Sequence, residues 1–146
     1  MAFQKVEIRD FQFSPPPVNT LPEELRTNEA DPTIVAQVTF KCLMPGDLIW
    51  LNGLFHVTNE ANSIASVTHI IKKNGSDIYR AETEVDIDPN DNEGQIFKQQ
   101  YVDQNMTFQS NVTYSLVASS DISNVFRVLP VILTATKIVE GKNRLY

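Results

Sequence analysis

The chain has 146 residues, 42% hydrophobic and 21% charged, and its 18 acidic side chains against 12 basic ones give a formal net charge of −6. Such a length and apolar content suit one compact domain with a proper core. The acidic balance argues against nucleic acid as a partner, because binding through phosphates rests on clustered Lys and Arg.

The first residues, MAFQKVEIRDFQF, carry charges at Lys5, Glu7, Arg9 and Asp10 and no apolar run of signal-peptide length. No later stretch approaches the roughly 18 uninterrupted apolar residues of a membrane span. The expectation is a protein made in the cytoplasm without a secretory signal and with no membrane partner. Residues 14 to 32 hold Pro15, Pro16, Pro17, Pro22 and Pro32, and the three consecutive prolines predict a stiff, extended stretch that cannot donate to a sheet. Residues 1 to 32 are therefore read as an N-terminal arm and 33 to 146 as the folded domain. Within the arm, PEELR at 22 to 26 is a helix candidate of a single turn, with Pro22 at its start. The apolar side chains Phe3, Val6, Ile8, Phe11 and Phe13 are costly to leave in water, so the arm either folds back on its own domain or docks on another subunit.

From residue 33 onward, apolar residues recur with period two, and no window repeats at the helical spacing. The predicted strands span 33 to 43, 47 to 58, 64 to 73, 76 to 87, 95 to 103, 110 to 119 and 124 to 139, and an extended piece at 3 to 13 makes eight. Eight strands with turn signals at their ends predict an all-β, antiparallel two-sheet sandwich of jelly-roll type. Its core should hold Ile49, Leu51, Phe55, Val57, Ile71, Ile78, Val85, Tyr114, Leu116 and Leu133. Cys42 shares the phase of Ile34, Ala36, Val38 and Phe40, which predicts a small buried hydrophobe.

The two Asn-Gly pairs read differently. At Asn74-Gly75 the flanks Lys73/Ser76, Lys72/Asp77 and Ile71/Ile78 place a charge pair and an aliphatic pair across a two-residue hairpin turn. At Asn52-Gly53 the apolar phase runs through the glycine as Ile49, Leu51, Gly53, Phe55 and Val57, so Gly53 marks a bend, a bulge or a close backbone approach in one long strand.

Chemistry is sparse. In DIDPNDNEG, Asp86, Asp88 and Asn90 have the first spacings of a calcium loop, but Asp91 stands where the turn glycine is needed and Phe97 where the bidentate glutamate belongs. These three are weak metal candidates, and the loop is read as a polar strand end running into a turn. His56 and His69 lie within strands and belong to no metal or nucleophile motif; His69 shares the phase of Val67 and Ile71, as a partly buried or interface residue would. No phosphate-cradling glycine loop is present. The expectation is no catalytic residue, no cofactor and no enzyme. The three N-x-S/T sequons are read as accidents of an Asn-rich sequence. Trp50, Tyr79 and Tyr101 would line a sugar groove only if they shared an exposed face.

The pieces KKNGSDIY, YVDQN, NVTYSLVAS and VLPVILTATKI, in that order over about residues 64 to 138, resemble the small jelly-roll proteins of bacterial spore surfaces, of exosporium protein C type and the endospore appendage subunits. Leu129 stands where that pattern has glycine, and the arm lies outside the resemblance. The resemblance implies a structural protein of the spore surface, self-assembling into a fibre or exosporium layer. Strand addition from a neighbour satisfies an exposed sheet edge, so residues 3 to 13 are expected to give head-to-tail contacts through Phe3, Val6, Ile8, Phe11 and Phe13. A carbohydrate- or calcium-binding sandwich module is the alternative, and a phage or virus capsid or decoration protein a further one.

Overall fold

A computed structural model of the protein describes residues 5–15, 21–87 and 95–141, with side chains over 8–15, 21–87 and 95–138. Nine strands follow in chain order: β1 (Lys5–Phe13), β2 (Glu23–Glu24), β3 (Thr33–Leu43), β4 (Leu48–Asn59), β5 (Ala65–Lys73), β6 (Ser76–Val85), β7 (Gln95–Gln104), β8 (Gln109–Ser120) and β9 (Val125–Gly141). There is no helix among the described residues. PEELR is extended: β2 pairs with the start of β9, with Glu23 opposite Arg127, so tertiary pairing overrides the weak helix signal after Pro22.

Two antiparallel sheets form. Sheet A runs β1-β9-β4-β7, with β2 also on β9, and sheet B runs β3-β8-β5-β6. Setting β2 aside, this interleaving of eight strands is the jelly roll. From β3 onward only β5 and β6 are hairpin neighbours, and every other connection crosses between sheets. Period-two alternation then puts one face of each sheet inward. Ile49, Leu51, Phe55, Val57, Ile71, Val85, Tyr114, Leu116 and Leu133 all lie in the core, while Ile78 is half-buried at its margin.

Bulges account for the places where alternation misleads. Opposite β8, Val35 is an extra residue between Ile34 and Ala36, so Ile34 turns outward, and Cys42 at the far end is half-buried instead of buried. In the hairpin, Asn74 and Gly75 have φ of 47° and 86°, and Lys72 meets Asp77 in an ion pair of 3.2 Å. Ile78 is then skipped, and Ile71 faces Tyr79 instead. Along β9, residues 129–131 bulge opposite Phe55, which places Pro130, unable to donate to a ladder, where no donor is called for.

Of the segment expected to be an arm, β1, Ser14, β2 and Leu25 are part of the sandwich. β1 is one of the two edge strands of sheet A, pairing from Lys5 opposite Gly141 to Phe13 opposite Thr134 of the same chain. Ser14 extends the attachment: its backbone N–H donates to the Leu133 carbonyl, and its Oγ accepts from Leu133 N–H. Leu25 is in the core. Strand pairing and core packing therefore begin well before residue 33. Of the two dockings left open by the sequence, β1 adopts the one on its own domain. Phe3 lies outside the described residues.

Gly53 of β4 lies opposite Gln99 of β7, whose side chain fills the space beside it. A Cβ there would collide with Gln99 Oε1 and lie 3.1 Å from Leu116 Cδ2. Gly53→Ala must therefore displace the buried Gln99 amide from its hydrogen bond with His69, at a cost of about 1–3 kcal/mol. Urea unfolding should register that loss, and Gln99→Ala in the same chain should recover part of it by making room.

Candidate functional site

The outward face of sheet A is built from four strands in register. One row reads Phe11, Thr136, Trp50, Val102; the next reads Phe13, Thr134, Asn52, Gln100; a third adds Ile132, Leu54 and Lys98. Trp50, Val102, Ile132 and, further along β7, Ile96 are exposed. The exposed apolar side chains of this face alternate with Thr136, Thr134, Asn52, Gln100 and Lys98, a mixed surface of the kind on which another molecule docks.

β1 is the unusual element of this face. Val6 and Ile8 are even-numbered, whereas Phe11 and Phe13 are odd, so strict alternation would split them between faces. The register shift between Ile8 and Asp10 removes the conflict. Ile8, Phe11 and Phe13 all lie opposite outward-facing residues of β9 and stay 70%, 51% and 63% exposed, with the two phenyl rings 6.2 Å apart. Asp10 and Gln12 take the inward positions and are half-buried. β1 thus contributes backbone hydrogen bonds to its own domain while presenting its described apolar side chains to solvent.

A second feature lies at the end of the sandwich, where three of the sequence motifs converge. Lys73 ends β5, Asp103 and Asn105 close β7, and Tyr114 lies on β8. Lys73 Nζ is 2.9 Å from Asp103 Oδ2 and 3.2 Å from Asn105 Oδ1, and the Tyr114 hydroxyl donates to Asp103 Oδ2 at 2.7 Å. Asn105 Nδ2 donates to the carbonyls of Met44 and Thr107, and the Asn105 backbone N–H to the Asp47 carbonyl. Asp47 in turn accepts from Met44 N–H at 2.7 Å and pairs with Lys137 at 3.3 Å. Asp47, Asp103, Asn105 and Tyr114 are buried. Burial foremost, then the bond to Asp103 and the nearby carboxylate charges, pushes the Tyr114 phenol far above its ordinary range, so it remains a hydrogen-bond donor.

The third feature is His69, buried between the sheets. Its Nδ1 accepts from Gln99 Nε2 at 2.9 Å, so its proton is on Nε2, which donates to Thr83 Oγ1 at 3.0 Å. Phe97, Phe55 and Tyr79 surround the ring at 5.0 to 6.4 Å. Burial lowers the His69 pKa. Gln99 Oε1 has no hydrogen-bond partner.

The remaining candidates do not gather. Asp86 is exposed just beyond β6, and Asp88 and Asn90 lie outside the described residues; among the described residues no group of three or more His, Cys, Asp or Glu side chains is placed to hold a metal. Tyr79 and Tyr101 meet across the two sheets at 6.1 Å, whereas Trp50 points outward from sheet A, so the three share no face. The sequence reading overlooked the Lys73–Asp103–Asn105 cluster. A signal was present: Asp103 continues the inward phase of Phe97 and Gln99, and an acidic residue in that phase requires a buried partner.

No protein-family model matches the chain, and no curated protein does. Among solved structures, a family 35 carbohydrate-binding module from an environmental isolate is similar over 76% of this chain and 69% of that one, at 15% identity and a TM-score of 0.30. So weak a likeness carries no inference about what this chain binds.

Proposed function

We propose that the chain is a structural subunit that assembles with copies of itself head-to-tail, through β1 and the outward face of sheet A. The observation that carries this reading is the orientation of β1. Its docking leaves Ile8, Phe11 and Phe13 uncovered beside Trp50, Val102 and Ile132, and a second copy covering that face would bury them. β1 is also a sheet edge, with one row of backbone groups open to a neighbouring strand. Because β1 is followed by the Pro15–Pro17 run, its release from β9 and pairing with the β9 of a neighbour is a second route to the same head-to-tail contact. A spore-surface fibre or exosporium layer is the setting that the motif resemblance supports.

Negative-stain microscopy and light scattering of the full-length protein test this. Polymers or large oligomers are expected, and Phe11→Ser with Phe13→Ser should return folded monomers, because neither ring supports the core. Monodisperse monomers from the unaltered chain would sink the proposal.

One observation favours a second reading. Phe11, Phe13 and Trp50 are interleaved with Thr134, Thr136, Asn52 and Gln100, so aromatic rings and hydrogen-bonding groups share one face, as a carbohydrate platform requires. Retention on an insoluble polysaccharide that is lost on Trp50→Ala, with a monomeric native protein, would select it.

A further inference from the structure

We propose that Lys73 and Asn105 become joined by an isopeptide bond that the folded protein forms within itself, with Asp103 as the acid–base group. The proposal does not depend on the assembly reading. Three observations meet at this point. Lys73 Nζ contacts Asn105 Oδ1 at 3.2 Å, which sets an amine against a side-chain amide. The same Nζ contacts Asp103 Oδ2 at 2.9 Å, which supplies a proton acceptor at the nucleophile. Both hydrogens of Asn105 Nδ2 are taken by backbone carbonyls, Met44 at 2.8 Å and Thr107 at 2.6 Å, so the amide is held with its oxygen toward the lysine.

The surroundings favour the chemistry. Asn105 is fully buried and the Lys73 side chain is only 16% exposed, which keeps competing water from the carbonyl. The Lys73 ammonium touches the Asp103 carboxylate directly, so a proton can pass between them with no intervening group and leave the amine free to attack. Tyr114, donating to Asp103 Oδ2 at 2.7 Å, fixes the carboxylate in place. Holding amine and amide together on a rigid scaffold converts a slow bimolecular aminolysis into a unimolecular one, a gain of effective concentration of about 10⁵–10⁸ M in well-oriented cases.

The step balances without any co-reactant. Asp103 takes one proton from the Lys73 ammonium, and the free amine attacks Asn105 Cγ, forming the C–N bond. Asp103 delivers that proton to Nδ2 and takes a second one from the attacking nitrogen, the Cγ–Nδ2 bond breaks, and the ammonia released takes the second proton from Asp103 and leaves as ammonium. The lysine nitrogen, which began with three protons, keeps one; the other two depart with the amide nitrogen as ammonium. Nothing is oxidised or reduced, and Asp103 ends as it began. The reaction occurs once per chain and ties the end of β5 in sheet B to the end of β7 in sheet A.

Mass spectrometry of the denatured full-length protein is the test. The intact mass should be lighter than the sequence mass by one ammonia, and trypsin should fail to cut after Lys73, releasing a branched peptide that joins the Lys73 segment to the Asn105 segment. Lys73→Arg keeps a cation beside Asp103 and should show the full mass with no branched peptide. Asp103→Asn retains both partners and should also remain unlinked while circular dichroism reports the same β fold. Asn-Gly and Asn-Met bonds can lose ammonia by cyclising on their own backbone, so a lighter mass without the branched peptide overturns the proposal, as does the full sequence mass in the unaltered protein. The digest of the unaltered chain decides the bond even where a variant fails to fold.

Discussion

Phe55→Ala should lower the unfolding free energy by about 3–5 kcal/mol, a large fraction of the roughly 5–15 kcal/mol that holds a domain together. Phe55 is fully buried at the middle of β4. Its ring packs edge-on against Phe97 at 5.2 Å and His69 at 6.2 Å, so one side chain joins the central strand of sheet A, its neighbour β7, and β5 of the opposite sheet. Close packing prevents these partners from collapsing into the space left behind, so a cavity term adds to the lost burial. Urea titration should show a lower midpoint with an unchanged slope. Trp50→Ala, five residues earlier on the same strand but on the outward face, is the internal comparison and should cost well under half as much. If the two variants are equally stable, the assignment of inward and outward faces along β4 is wrong.

That assignment was legible in the sequence because β4 keeps strict alternation from Ile49 to Val57, and glycine at 53 interrupts neither phase. The same holds for most of the eight long strands, whose predicted ends fall within about two residues of the observed ones. Where the reading failed, a bulge was the cause. Val35 inserts into β3 and turns Ile34 outward; Arg9 inserts into β1 and brings Ile8 onto the face of Phe11 and Phe13. An extra residue in one strand is a property of the pair, so a single strand read alone does not reveal it. Leu25 was missed for a related reason: one apolar residue in a proline-rich stretch has no periodicity, and only the docking of β2 on β9 carries it into the core.

The candidate sites divide in the same way. Local chemistry was readable, as in the Asn74-Gly75 turn with its Lys72–Asp77 pair. The Lys73–Asp103–Asn105–Tyr114 cluster was not, although each member lies in a stretch that the motif resemblance had singled out. These residues are separated by up to 41 positions and meet only because the jelly-roll crossovers bring the ends of β5 and β7 beside Tyr114 of β8. The outward aromatic face escaped for want of topology too, since Phe11 and Trp50 become neighbours in one row only through β9.

His69 makes stability depend on pH over a range in which carboxylates hardly titrate. In the unfolded chain its imidazole has the ordinary pKa of 6.5, and burial lowers that value in the folded protein. The unfolded state therefore binds the proton first. The contribution of neutral His69 is complete above about pH 6.5 and is lost as pH falls through that value, with a limiting slope of about 1.4 kcal/mol per pH unit for one proton. The structure explains why the folded state resists charging. Phe55 from β4, Tyr79 and Thr83 from β6, and Phe97 and Gln99 from β7 surround the ring, and none brings a negative charge. A proton on Nδ1 would face the Gln99 amide nitrogen, itself a donor. Charging the ring therefore requires the Gln99 amide to turn and offer Oε1 in place of Nε2. Urea midpoints should therefore fall between pH 7.5 and 5.5 in the unaltered protein. They should change far less in His69→Gln, a variant less stable at pH 7.5 but without the buried titrating group. His56, half-buried on the other face of sheet A, is common to both proteins and cancels in the comparison. Equal slopes in the two proteins would mean that the acid response originates elsewhere.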